Sequence, residues 1–122
     1  EHKSAITDCA NLVNNDLLTL ACNVYWEARG EDFDGQLAVA TVTRNRVMSG
    51  MFPSSYSKVV WQRRGRIPQF EWTFDGRSDI VREPNSWTRA LAVAALVMYT
   101  DFEPNTQAEF YHRVGLENSS TR

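Results

Sequence analysis

The chain has 122 residues, 43% of them hydrophobic and 11% aromatic, with 13 Lys+Arg against 15 Asp+Glu for a formal net charge of -2. That apolar content excludes a disordered chain, and six Gly and four Pro exclude collagen-like or low-complexity sequence. The charge balance excludes a global attraction to nucleic acid or to an anionic membrane. The longest apolar run, residues 90–99, is about half of the roughly 20 residues that cross a bilayer, so no membrane-spanning helix is expected. Length predicts one domain over residues 1–122. Only Lys3 and Lys58 are lysines, so 11 of the 13 basic residues are Arg.

In chain order, residues 8–13 read as a short helical segment carrying Cys9. Asn14-Asn15-Asp16 then turns into a helix over 17–29, with Asn15 or Asp16 as its N-cap and Gly30 as its stop. Leu17, Leu20, Ala21, Val24 and Ala28 recur at helical spacing and form its buried stripe. Asp32 or Asp34 caps a second helix that reaches Ser49, and its small and β-branched middle predicts deep packing. A short third helix covers 55–62. Residues 63–85 read as irregular, first the basic loop Arg63-Arg64-Gly65-Arg66, then an aromatic stretch. There the alternation of Phe70, Trp72 and Phe74 suits a short strand or hairpin arm. Asn85 or Ser86 caps a last helix over 87–100, apolar all round and therefore expected at the centre of the fold. Residues 108–112 are expected to pair as a strand with 69–74. The predicted class is α+β, mainly helical, with a small sheet or hairpin.

Cys9 and Cys22 are too few for a disulfide scaffold or for a structural zinc site of about four ligands. A helical hairpin would bring them together as a disulfide; the alternative is two small buried hydrophobes. His2 and His112 lie near opposite ends, and no pair has metal-ligand spacing, so neither a metal nor a cofactor is expected.

Glu27 is the carboxylate in the wrong place. It follows Leu20 by seven and Val24 by three positions, so it projects from the apolar stripe of its helix. It also sits in the last helical turn, where the macrodipole disfavours negative charge. Both effects raise its pKa, as a general acid for glycosidic cleavage requires. The competing reading is a Glu that reaches solvent or pairs with Arg29. Trp26, Trp72, Phe74, Tyr25, Tyr111 and Trp61 offer flat apolar faces, and Gln69, Asn45, Thr73 and His112 offer hydrogen-bonding groups, the two kinds of surface that a saccharide cleft combines. The Arg63–Arg66 loop is a candidate for meeting carboxylates of an anionic polymer, or else a solvated loop.

Glu27-Ala28-Arg29-Gly30-Glu31, followed by Gly35-Gln36-Leu37-Ala38-Val39-Ala40 and Asn45-Arg46-Val47, resembles the signature of the SleB-like cell-wall hydrolases, the spore-cortex-lytic enzyme family that includes phage endolysins. Gln69-Phe70-Glu71-Trp72-Thr73-Phe74-Asp75-Gly76 and Ala108-Glu109-Phe110-Tyr111-His112 are similar to further parts of its pattern, so the likeness covers residues 17–112. The resemblance implies a small lysozyme-like fold and cleavage of the β-1,4 bond between N-acetylmuramic acid and N-acetylglucosamine. It places the catalytic acid on Glu27. The candidate substrate contacts, read from the aromatic and hydrogen-bonding side chains themselves, are Trp26, Asn45, Gln69, Phe70, Trp72, Tyr111 and His112. It also implies peptidoglycan strands as the partner, a monomer without nucleic-acid or membrane-inserted states, and a secreted, periplasmic or wall-acting location. Two positions depart from the pattern: Trp26 replaces a small residue, and the Pro and Trp expected after His112 are missing.

One carboxyl group is sufficient for a lytic transglycosylase, which leaves a 1,6-anhydro end. A hydrolytic muramidase needs a second carboxylate, for which Glu31 and Glu71 are the candidates, with Asp32 and Asp75 behind them. Two other classes compete: a thiol peptidase using Cys22 and His112, and a glycan-binding module without chemistry.

Overall fold

Local capping chemistry sets where the helices begin. A computed structural model describes residues 3–102 of the chain. The Asn15 side chain accepts the Leu18 N–H at 2.9 Å and starts α1 (Asp16–Ala28). Asp32 accepts the Gly35 N–H at 3.0 Å and starts α2 (Phe33–Met48). Ser55 accepts the Lys58 N–H at 3.1 Å and starts α3 (Tyr56–Val60). Each cap satisfies a backbone donor that the first helical turn leaves unpaired. The last helix, α4 (Pro84–Tyr99), starts earlier than Asn85 or Ser86 predicts, because Pro84 enters at its first position, where a missing N–H costs nothing.

The architecture is α+β and mainly helical. A strand β1 (Thr7–Asp8) pairs antiparallel with β4 (Ile80–Val81). A second pair, β2 (Arg63–Arg64) with β3 (Ile67–Pro68), forms a hairpin. Residues 63–66 are therefore not an irregular loop: Gly65, at φ 62°, takes the left-handed position of a two-residue hairpin turn and displays the arginines on an exposed ribbon.

The central helix is α1, not α4. Ten consecutive residues of α1, from Thr19 to Ala28, are buried, because α2, α3 and α4 all pack around it. Its single apolar stripe thus becomes a fully enclosed circumference. α4 buries one face, Trp87, Ala90, Val93, Ala94 and Val97, and leaves Ala92 exposed. Short alanine side chains make α4 apolar without requiring it to be enclosed. α2 is deeply packed from Gly35 to Thr43, as its composition predicts.

The aromatic stretch is a 3₁₀ turn (Glu71–Phe74) and not a strand. The Phe70 carbonyl accepts both the Thr73 N–H, at 3.2 Å, and the Thr73 hydroxyl, at 2.7 Å, and this curls the chain. Alternation is broken as a result: Phe70 and Trp72 point inward, while Phe74 is 52% exposed. The expected strand at 108–112 lies outside the described residues. Cys9, in a 3₁₀ turn (Cys9–Asn11), is bonded to Cys22 in the middle of α1.

Gly35 shows how closely the α1–α2 connection is packed. A Cβ on Gly35 would lie 2.7 Å from Glu31 Cβ, an atom close to the backbone that has little freedom to move aside. Gly→Ala inside an exposed helix gains about 1 kcal/mol. Here Gly35→Ala is expected to lose about 1–3 kcal/mol through overpacking, read as a lower urea midpoint at unchanged slope.

Candidate active site

Glu27 occupies the last turn of α1 and is 2% exposed. Burial pushes its carboxyl from the ordinary value of 4.5 up to about 8; the charge of Glu71 adds to the rise, and the Arg46 guanidinium opposes it. The acid is therefore mostly protonated at neutral pH. The alternative in which it reaches solvent is excluded by its burial.

Arg46, in the last turn of α2, is the cation of this site. Its Nη1 donates to Gln69 Oε1 at 3.2 Å, and its guanidinium lies 5.5 Å from the Phe52 ring centre and 5.4 Å from that of Phe70. Burial lowers its pKa below the usual arginine value, and Glu27 counters that shift. Arg46 is the member of this neighbourhood that the sequence did not single out; its signal is its place in the Asn45-Arg46-Val47 motif.

Gln69, Phe70 and Glu71 join Glu27 and Arg46 in one neighbourhood. Glu71 is exposed and acts on Glu27 through its charge. Glu31 is half-buried and sits over Gly35. Asp32, not Glu31, caps the following helix. Asn45 lines a different concavity of about 460 Å³ with Arg44, Tyr56, Val97 and Thr100.

Four of the candidate aromatic residues belong to the core, Tyr25 among them at 1% exposed. Trp72 is 1% exposed, and its indole N–H donates to Asn23 at 2.8 Å. Phe70 is 3% exposed, with the Arg46 guanidinium over its ring. Trp26 is 7% exposed, edge-on to Tyr25 at 4.8 Å, with Arg29 5.1 Å from its ring centre. The substitution at position 26 therefore fills core. The rings of Trp26, Phe70 and Trp72 are buried and contribute to the packing of the core. Tyr111 and His112 lie outside the described residues. Cys22 is bonded to Cys9, which removes the thiolate that a cysteine nucleophile needs. Among the described residues no group of three or more His, Cys, Asp or Glu is placed to hold a metal ion.

A small, mainly helical domain with a buried, proton-retaining glutamate at the end of its central helix is the class that fold and site define. The family model described as Cell Wall Hydrolase matches residues 30–121, about three quarters of the chain. The chain is 36% identical over 98 residues to the spore cortex-lytic enzyme of Bacillus subtilis (strain 168), covering 80% of this chain and 29% of that protein. It is 37% identical over 97 residues to the spore cortex-lytic enzyme of Oceanobacillus iheyensis, covering 80% of this chain and 32% of that protein. The chain belongs to the cell-wall hydrolase family. It spans about a third of the length of these curated relatives. No solved structure matches it at a significant level.

Raising an acid's pKa in the folded state makes stability fall as pH rises. The folded chain holds a proton up to about pH 8 that the unfolded chain releases near 4.5, so the loss begins near 4.5 and is complete above 8. Glu27→Gln removes the ionisation. It is expected to be neutral below pH 4.5, to stabilise by up to about 3 kcal/mol at pH 7 and by up to about 5 kcal/mol above pH 9. Urea unfolding of both proteins across that range checks it.

Proposed function

We propose that this chain cleaves the β-1,4 bond between N-acetylmuramic acid and N-acetylglucosamine in peptidoglycan as a lytic transglycosylase, with residues 1–122 acting as one catalytic domain outside the cytoplasm. The observation that carries this reading is the burial of Glu27, 2% exposed with its carboxyl raised to about 8. Membership of the cell-wall hydrolase family, and relatives named spore cortex-lytic enzymes, support the substrate class.

In the first step the Glu27 carboxyl donates its proton to the glycosidic oxygen. The C1–O bond breaks with its electron pair going to the departing N-acetylglucosamine oxygen, and positive charge develops at C1. The muramoyl C6 hydroxyl then attacks C1 and gives its proton to the Glu27 carboxylate. The acid is regenerated and a 1,6-anhydro end is left, so atoms and protons balance without water. A carboxyl group with pKa near the working pH suits both half-reactions. Between them the newly formed carboxylate has the Arg46 guanidinium as its opposing charge, held by Gln69. Gln69, bonded to Arg46, is a substrate-contact candidate beside this chemistry, with Tyr111 and His112 retained as further candidates.

A second reading has one observation in its favour. The Glu71 charge reaches Glu27, so an exposed second carboxylate is available to activate water for hydrolysis. Mass spectrometry of digested peptidoglycan separates the two. The transglycosylase gives 1,6-anhydro-muramoyl ends, and the Glu27→Gln protein releases at least about 100-fold less of them. Reducing muramoyl ends without anhydro product would replace this mechanism by Glu27–Glu71 hydrolysis.

Arg46 lowers the Glu27 pKa, so its removal raises it further. Arg46→Gln is expected to shift the alkaline limb of the pH–activity profile to higher pH and to lower kcat by about tenfold or more, because the carboxylate loses its counter-charge. Arg46→Lys restores part of both. Initial rates of wall-fragment release from pH 5 to 10 give the measurement.

A further inference from the structure

Away from Glu27, at the opposite end of α1, a groove of about 580 Å³ opens on the surface. Asn14, Ser57, Lys58, Trp61 and Arg63 supply its polar and aromatic lining. Its position is fixed by Ser57, whose backbone N–H and hydroxyl donate to Asp16 Oδ1 at 3.1 and 3.0 Å. Asp16 opens α1 and Glu27 lies eleven residues further on, so the two ends are roughly 16 Å apart along the helix axis.

The lining contains two cations and no acid. Neither Lys58 nor Arg63 takes part in an ion pair among the described residues. The Arg63 guanidinium is held in place 4.0 Å from the centre of the exposed Phe74 ring. The β2–β3 turn continues the basic surface with exposed Arg64 and Arg66. In a chain of net charge -2 this is a local concentration of the opposite sign. Trp61 adds a half-buried indole, braced edge-on by Trp72 at 5.1 Å. Its buried Nε1 donor has no acceptor among the described residues.

We infer that the Lys58–Trp61–Arg63 groove is a second binding site for peptidoglycan, taking the carboxylates of its stem peptides while Glu27 acts on the glycan strand. This rests on the peptidoglycan reading above. Two cations, one of them held against Phe74, beside an aromatic ring match a polymer in which carboxylates hang from a sugar backbone, and they give the chain the local attraction to an anionic wall that its net charge denies it.

Binding of full-chain Glu27→Gln protein to insoluble walls tests this by co-sedimentation, with intact walls compared against walls stripped of stem peptides by an amidase. The parent is expected to bind intact walls about three- to tenfold more tightly than stripped ones, with the difference shrinking as salt rises. Adding Lys58→Glu and Arg63→Glu is expected to abolish that difference, and the milder Lys58→Gln with Arg63→Gln to reduce it. Trp61→Ala, which removes the aromatic wall of the groove, is expected to weaken binding several-fold. Thermal melting of each variant confirms a folded chain. Equal binding of the parent to intact and stripped walls, or an undiminished difference in both charge variants, would overturn the inference. Product release by the unsubstituted chain is scored separately: discrimination that persists while no glycan fragments appear would sink the glycosidase reading and leave the groove standing.

Discussion

A buried chain of hydrogen bonds through Asn23 holds the site together. Its amide oxygen accepts the Trp72 indole N–H at 2.8 Å, and its amide nitrogen donates to the Thr43 hydroxyl at 3.2 Å. That hydroxyl donates onward to the Val39 carbonyl at 2.8 Å. Three segments that are distant in sequence are thereby joined: the turn after Phe70, the central helix and α2. In a low-dielectric interior such bonds are strong, and each broken one leaves an unpaired group. Asn23 lies about one helical turn before Glu27, so the same network lays Gln69, Phe70 and Glu71 across the end of α1 where the acid sits. The contrast along this one helix is instructive. Asn23 is buried and bonded on both sides, whereas Glu27 is buried and left to resolve its desolvation by keeping a proton.

What was legible in the sequence is what is chemically local. Asn15 and Asp32 cap because their short oxygens reach a backbone N–H three residues on, and no distant partner is needed. Glu27 was legible for the same reason, since its place in an apolar stripe and at a helix end are both properties of a few neighbouring residues. Which helix would be surrounded was not legible. The α4 sequence is as apolar as a core helix, but apolarity reports only that burial is tolerated, and enclosure depends on how many neighbours arrive. The 69–74 segment misled for a related reason. Alternating aromatics suit a strand, yet Thr73 uses its own side chain to close a turn on Phe70, a local bond that competes with extended pairing. Arg46 is the deeper omission, because its importance lies in a meeting with Gln69, 23 residues away, and with Glu27 on another helix.

The aromatic residues show why composition overstates a binding surface. Tyr25, Trp26, Phe70 and Trp72 are all in the core, where their area contributes more to stability than to recognition. A chain of 122 residues has limited interior, and large rings fill it efficiently. What the core leaves at the surface is Glu71, Phe74 and the basic hairpin, with Gln69 half-buried between them and the core. Site and scaffold therefore compete for the same residue types, and burial decides between them.

That competition extends to free energy. At pH 7 the folded chain keeps a proton on Glu27 that the unfolded chain releases, which costs about 3 kcal/mol relative to acidic conditions. This is a large share of the 5–15 kcal/mol that typically separates folded from unfolded domains. The Cys9–Cys22 bond, closing a separation of 13 residues, restricts the unfolded chain by about 3 kcal/mol in the loop-entropy model. The link ends on α1 itself, one residue before Asn23 and five before Glu27, so the constraint falls on the helix that carries the unfavourable acid. Burial of the carboxyl and the covalent tie are of the same order and opposite sign. A domain of this size can therefore hold a proton-retaining glutamate in its central helix without surrendering the fold that keeps it buried.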